Sequence, residues 1–147
     1  GIVYLSNKSY DLDDNICVHG LDLEKKYYLR RFKKPLDQGY INKRISIDES
    51  KFNILLAHSP LFVKDYADSH VDLALAGHFH GGTIRLPGGI GVMTPQFHFF
   101  NRLVVGMKKV GNMVQIIGAG LGTHSINIRL NDMSELIVIN LKCRNKA

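Results

Sequence analysis

Short apolar runs separated by polar, glycine-bearing or proline-bearing stretches organise this chain. Ile2-Val3-Tyr4-Leu5 and Ile16-Cys17-Val18-His19 read as short strands. After them, Lys26, Arg30 and Lys33 or Lys34 recur at helical spacing, with Tyr28, Leu29 and Phe32 as an apolar counterpart, which predicts an amphipathic basic helix. Phe52–Ala57 reads as a buried strand, 60–66 as a short helix with Pro60 in its first turn, and 72–76 as a second buried strand. The segment 83–86 predicts a strand broken by Pro87-Gly88-Gly89. The runs 103–107 and 113–117 predict a hairpin across 108–112, and 127–130 and 135–141 read as the closing strands. The whole is an α/β pattern with its helices early and its strands crowded late, without repeats or a linker.

Composition changes this picture little. At 147 residues and 45% hydrophobic content the chain fits a single domain, 1–147, with enough apolar mass for a core. No apolar run approaches the roughly 20 residues that span a bilayer, and Gly1 opens no signal-peptide pattern. The expectation is a soluble segment, cytoplasmic or carried to a membrane by sequence upstream of Gly1. The net charge of +6 favours anionic partners and gathers at Lys25, Lys26, Arg30, Arg31, Lys33 and Lys34. A solvated helix face accounts for that run, and no basic and aromatic interleaving of a nucleic-acid groove accompanies it. Cys17 and Cys143 stand far apart and read as reduced thiols.

Several chemistries are excluded by spacing. Gly118-Ala119-Gly120-Leu121-Gly122-Thr123 follows a strand, but its third glycine falls one place early for a dinucleotide loop and a strand pattern follows it. No Gly-x-x-x-x-Gly-Lys-Ser/Thr cradle is present. Ser59 and Ser125 merely adjoin histidines in sequence, which does not make a nucleophile and its base.

The histidines remain. His58 follows the apolar run Phe52–Ala57, and His78 and His80 follow the next one, so all three lie where strands of an α/β sheet end and loops are held by a rigid scaffold. Two residues apart in an extended segment, His78 and His80 would share a side and address one metal or two neighbouring metals, with Phe79 turned to the core. Gly81 and Gly82 allow a tight turn. The plainer reading of His78 and His80 is a pair of exposed loop residues. As nitrogen donors the three suit zinc, manganese or iron without selecting among them.

Leu-Leu-Ala-His58-Ser-Pro, followed by Leu-Ala-Gly77-His78-Phe-His80-Gly-Gly-Thr-Ile-Arg85-Leu-Pro, resembles the C-terminal signature of calcineurin-like metallophosphoesterases, in the branch that carries Gly-His-Thr-His-Gly-Gly-Gln-Ile-Arg. Gly120-Leu121-Gly122-Thr123, Ile128-Arg129-Leu130 and Glu135-Leu136-Ile137 extend the likeness, as do the first residues and Val18-His19-Gly20-Leu21-Asp22. Phe79 stands in place of threonine and Thr83 in place of glutamine.

The resemblance implies a sandwich of two sheets with flanking helices, of which this chain supplies the C-terminal half. It implies hydrolysis of phosphomonoesters or phosphodiesters at two divalent transition-metal ions (manganese, iron or zinc), with His58 and His78 on the second metal and His80 on the first. The family's Asp-x-His, Gly-Asp and Gly-Asn-His motifs belong to its N-terminal half. All three are expected to be missing from this chain, so no general acid is assigned, and the chain alone is expected to be inactive. Asp65, Asp68, His70 and Asp72 read as structural or solvent-facing. Arg85 is a candidate phosphate ligand, with a salt bridge as its other role. A sheet face meant for the missing half is expected to be exposed, which favours pairing with a second copy. The alternative is a non-catalytic binding or oligomerisation module on the same half-sandwich.

Overall fold

The computed structural model describes residues 1–29, 34–82, 84–86, 90–93, 99–101, 104–122 and 129–142. Nine strands and one α-helix are defined among them. The strands are β1 (Lys8–Asp11), β2 (Ile16–Leu21), β3 (Phe52–Ala57), β4 (Leu73–Ala76), β5 (Arg85–Leu86), β6 (Ile90–Met93), β7 (Phe99–Asn101), β8 (Gly106–Val110) and β9 (Met113–Ile117). The helix α1 is Val63–Asp68.

The main sheet has the order β1-β2-β3-β4-β9-β8. Strands β2, β3, β4 and β9 run parallel, and the antiparallel strands β1 and β8 close the two edges. Central parallel strands have near-continuous apolar sequences, which is why Phe-Asn-Ile-Leu-Leu-Ala and Leu-Ala-Leu-Ala form the centre. A smaller antiparallel sheet, β5-β6-β7, follows the histidine-rich segment. The expected mixed α/β architecture of half a sandwich, one main sheet with part of its flanking layer and most of its strands late in the chain, is what the structure has; the small second sheet adds to it.

One face of the main sheet carries the core. Leu21, Leu55, Ala57, Ala74 and Met113 meet a layer built from Leu23, Tyr27, Leu36, Tyr40, Ile41, Ile45, Phe62, Val63 and Tyr66. Tyr27 is fully buried edge-on to Tyr40 and Phe62, with ring centroids 5.0 and 5.6 Å away, and its hydroxyl donates to Asp37 at 3.0 Å. Buried His19 ties three strands together. Its Nε2 lies 3.0 Å from Asn53 Oδ1 and its Nδ1 lies 2.7 Å from Ser9 Oγ. Because the Asn53 amide nitrogen donates to two backbone carbonyls, its oxygen must accept, which puts the imidazole proton on Nε2.

The opposite face is only partly covered. Residue 5 crosses it at Gly20, where a side chain would overlap the Leu5 backbone. Ile137 packs over Gly118, and Ile137 and Ile139 line a cavity of about 260 Å³ with Leu75 and Ile116. Phe52 and Leu56 on this face remain 38% and 41% exposed.

Several expected elements differ. Residues 2–5 and 135–141 are not strands: Ile2, Val3, Tyr4, Leu136 and Val138 are exposed, and the contacts with the sheet are those of Leu5 at Gly20 and Ile137 at Gly118. The basic helix is a single 3₁₀ turn, Lys25–Tyr28, because burial of Tyr27 anchors the turn and Leu29 is already extended; 30–33 lie outside the described residues. The helix expected over 60–66 starts at Val63. The hairpin turns on Gly111-Asn112, with Val110 opposite Met113, since Gly111 takes φ +59°. The polar edge strand β1 carries no apolar signal and was not expected. Leu130 makes an isolated parallel bridge to Ile84. Thr83, 87–89, 103, 127–128 and Cys143 lie outside the described residues, and Cys17 is a buried free thiol.

Candidate metal centre

The parallel strands β3 and β4 end at the same rim of the sheet, and the donation from Gly77 N to His58 O at 3.1 Å holds their ends level. His58 leaves β3 there. The turn behind it is fixed by Ser59, wholly buried, whose carbonyl accepts from Tyr66 Oη at 2.8 Å. His78 leaves the neighbouring strand, and the two rings meet edge to face at 4.8 Å between centroids.

The segment carrying His78 and His80 is not extended, as the spacing suggested. His78, His80, Gly81 and Gly82 have φ of +67°, +45°, +69° and +85°, so the backbone coils through the left-handed region. Non-glycine residues there cost of order 1–3 kcal/mol each and cluster where function demands them. Phe79 compensates by being completely buried, as expected of it.

Partial burial, and behind it the charge of His80, lowers the His58 pKa below its ordinary value, so this ring is neutral at pH 7 with a nitrogen lone pair to offer. Tyr28 forms one wall: its ring lies 6.1 Å from His58 and 5.3 Å from His78, and burial, then Asp22, pushes its phenol up to about 12. Sequence reasoning missed this residue, since a tyrosine in a basic run gives no signal of its own. An open cleft of about 390 Å³ adjoins, lined by Tyr28, His58, Asp22, Leu56, Leu75 and Gly77.

The donor chemistry fits part of a transition-metal site. His58 and His78 are adjacent, and His80 is close enough for its charge to act on His58. Among the described residues, however, no group of three or more His, Cys, Asp or Glu side chains is arranged to hold an ion. The carboxylates nearby in sequence do not supply the deficit. Asp68-Ser69-His70 spells Asp-x-His, but it ends α1 and precedes β4, at the rim opposite His58. Asp65 accepts from Leu36 N, and Asp72 accepts from Asn53 N. Arg85 donates to the buried carboxylate of Asp132, which takes up the charge offered to a phosphate.

Among curated proteins, the chain is 31% identical over 153 residues to an uncharacterized metallophosphoesterase of Helicobacter pylori (strain J99 / ATCC 700824), covering 98% of this chain and 39% of that protein. A counterpart in strain ATCC 700392 / 26695 is 32% identical with the same coverage. The uncharacterized metallophosphoesterase YkuE of Bacillus subtilis (strain 168) is 32% identical over 99 residues, 67% of this chain and 34% of the relative. The chain thus spans between a third and two fifths of the length of these relatives. No family model and no solved structure matches it.

Proposed function

Because the chain belongs to the metallophosphoesterase family, we propose that it supplies the C-terminal histidine ligands of a dinuclear centre that hydrolyses phosphomonoesters or phosphodiesters. The observation that carries this reading is the meeting of His58 and His78 at the ends of adjacent parallel strands, 4.8 Å apart. A pair of divalent cations, when bound, supplies a hydroxide at neutral pH and stabilises the entering and departing oxygens of an in-line displacement at phosphorus.

In this reading His58 and His78 present neutral imidazoles to one cation and His80 to the other. Tyr28 shields the two rings from water on one side, and the open cleft beside His58 admits the substrate. Arg85 approaches the phosphate only if it leaves Asp132. Carboxylate donors and the leaving-group acid come from the part of the catalytic domain outside these residues. The same part covers the open sheet face; pairing with a second copy is the other cover. A monomeric mass by light scattering, at concentrations where a dimer persists, removes the paired arrangement.

Hydrolysis of p-nitrophenyl phosphate and bis-p-nitrophenyl phosphate tests the assignment, using the longest natural chain that contains these residues. The expected result is activity with manganese that is lost on chelation and restored by metal. Metal-independent turnover, or none with any of manganese, iron and zinc, would leave the non-catalytic module as the function.

A further inference from the structure

The His19 cluster that ties β1, β2 and β3 together also has the geometry of an activated nucleophile, and the proposed phosphoester chemistry makes no use of it. Ser9 stands directly opposite His19 in the antiparallel pairing of β1 with β2, and its Oγ lies 2.7 Å from His19 Nδ1. On the other side of the ring, Nε2 lies 3.0 Å from Asn53 Oδ1. The Asn53 amide nitrogen donates to the carbonyls of Asp48 at 2.9 Å and Lys51 at 2.8 Å, and its backbone N–H donates to Asp72 at 2.7 Å. Flipping that amide would set its oxygen against two carbonyls, so Nε2 carries the proton and Nδ1 accepts from the serine hydroxyl. A hydroxyl in hydrogen-bond reach of an imidazole whose far nitrogen is oriented by a third group is the arrangement that activates serine. The members differ in exposure as that role requires. His19 and Asn53 are buried, whereas Ser9 lies on the exposed strand β1, open to a reactant from solvent.

Independently of the reading of His58, His78 and His80, we propose that Ser9 is an acyl-accepting nucleophile, with His19 as its general base and Asn53 as the residue that positions the base. The substrate class is an unhindered carboxylic ester with a good leaving group. Ser9 Oγ bonds to the carbonyl carbon as its proton passes to His19 Nδ1, and the carbonyl π pair moves onto oxygen. Collapse of that adduct re-forms the carbonyl and breaks the bond to the leaving oxygen. The proton on Nδ1 goes to the departing group, so Ser9 ends as an ester and the leaving group as its alcohol. A base held in this way contributes typically 10²–10⁴-fold.

The probe is p-nitrophenyl acetate, with p-nitrophenol release followed by absorbance and the acetyl group located by peptide mass spectrometry. Acetylation of Ser9 is expected at least about 100-fold faster than that of Ser134, an exposed serine whose hydroxyl meets only a backbone carbonyl. A chelator should leave this labelling unchanged, which separates it from hydrolysis at a metal centre. His19→Gln, with the circular dichroism spectrum retained, should bring the Ser9 rate down to that of Ser134. Two-bond proton–nitrogen correlation spectra of the chain labelled with ¹⁵N-histidine should show His19 in the Nε2–H form, its signals identified by their displacement in Ser9→Ala. That readout, with the ratio of the Ser9 and Ser134 rates, decides the matter if His19→Gln fails to fold. Asn53→Ala should move His19 toward the Nδ1–H form and slow the labelling together. Acetylation confined to lysines, a Ser9 rate that survives His19→Gln, or a His19 proton on Nδ1 in the unsubstituted chain would overturn the proposal and leave the cluster a structural tie. A tautomer that Asn53→Ala does not move would overturn the positioning role.

Discussion

Replacing His58, His78 and His80 together by alanine is expected to abolish binding of zinc and manganese by this chain in a calorimetric titration. Among the described residues these imidazoles are the only histidine donors at the C-terminal rim of the parallel strands; Asp65 and Asp132 are engaged elsewhere, and Asp68 and Asp72 lie at the opposite rim. Losing an orienting outer group already costs roughly 10–100-fold in affinity, so losing the donors themselves should exceed about 100-fold. Weak or substoichiometric binding by the unsubstituted chain, lost in the variant, would mark a part-site completed by other donors. Two tight ions per chain would show that residues not recognised here complete it. Binding unchanged by the substitution would remove the metal site altogether.

The second large effect is expected at Gly81. An alanine there must hold φ near +69°, which costs an L residue about 1–2 kcal/mol, and its Cβ would overlap the Asp132 carboxylate. If the carboxylate withdraws, Arg85 and Arg129 lose a buried partner, a loss that costs about 3–5 kcal/mol when one member of a buried pair is removed. Gly81→Ala should therefore destabilise the fold by about 3–5 kcal/mol in urea unfolding. Combining it with Asp132→Ala should cost less than the sum of the two single changes, because the overlap is then relieved; strict additivity would show that Gly81 and Asp132 do not touch.

The centre of the fold was legible because it obeys a local rule. Phe52–Ala57 reads correctly to the residue, since a central parallel strand has a near-continuous apolar sequence. The rule fails at 2–5 and 135–141, which are apolar yet mostly exposed, because a strand needs an edge to pair with and apolar content alone does not supply one. The polar strand β1 shows the converse: it is defined by its pairing with β2 and by Ser9 on His19.

The candidate site divides in the same way. His58 and His78 were legible as histidines closing apolar runs, and the parallel register brings them together. The left-handed turns at His78 and His80 were not, since neither residue favours that conformation. They are imposed from below, by buried Phe79 and by the Asp132 carboxylate. Arg85 and Asp132 are 47 positions apart, beyond any spacing rule, and only the fold discloses that they are one unit.

The main sheet ends in two antiparallel strands, and their composition governs how copies of the chain can meet. An exposed strand edge is a row of unpaired backbone groups ready to recruit another strand, and lysine is a common guard against it. Here β8 carries Lys108 and Lys109, and β1 begins at Lys8. Edge-to-edge pairing through β8 would bring like charges together along that seam. The apolar face has no such guard, so any pairing of two copies would use that face rather than the β8 edge.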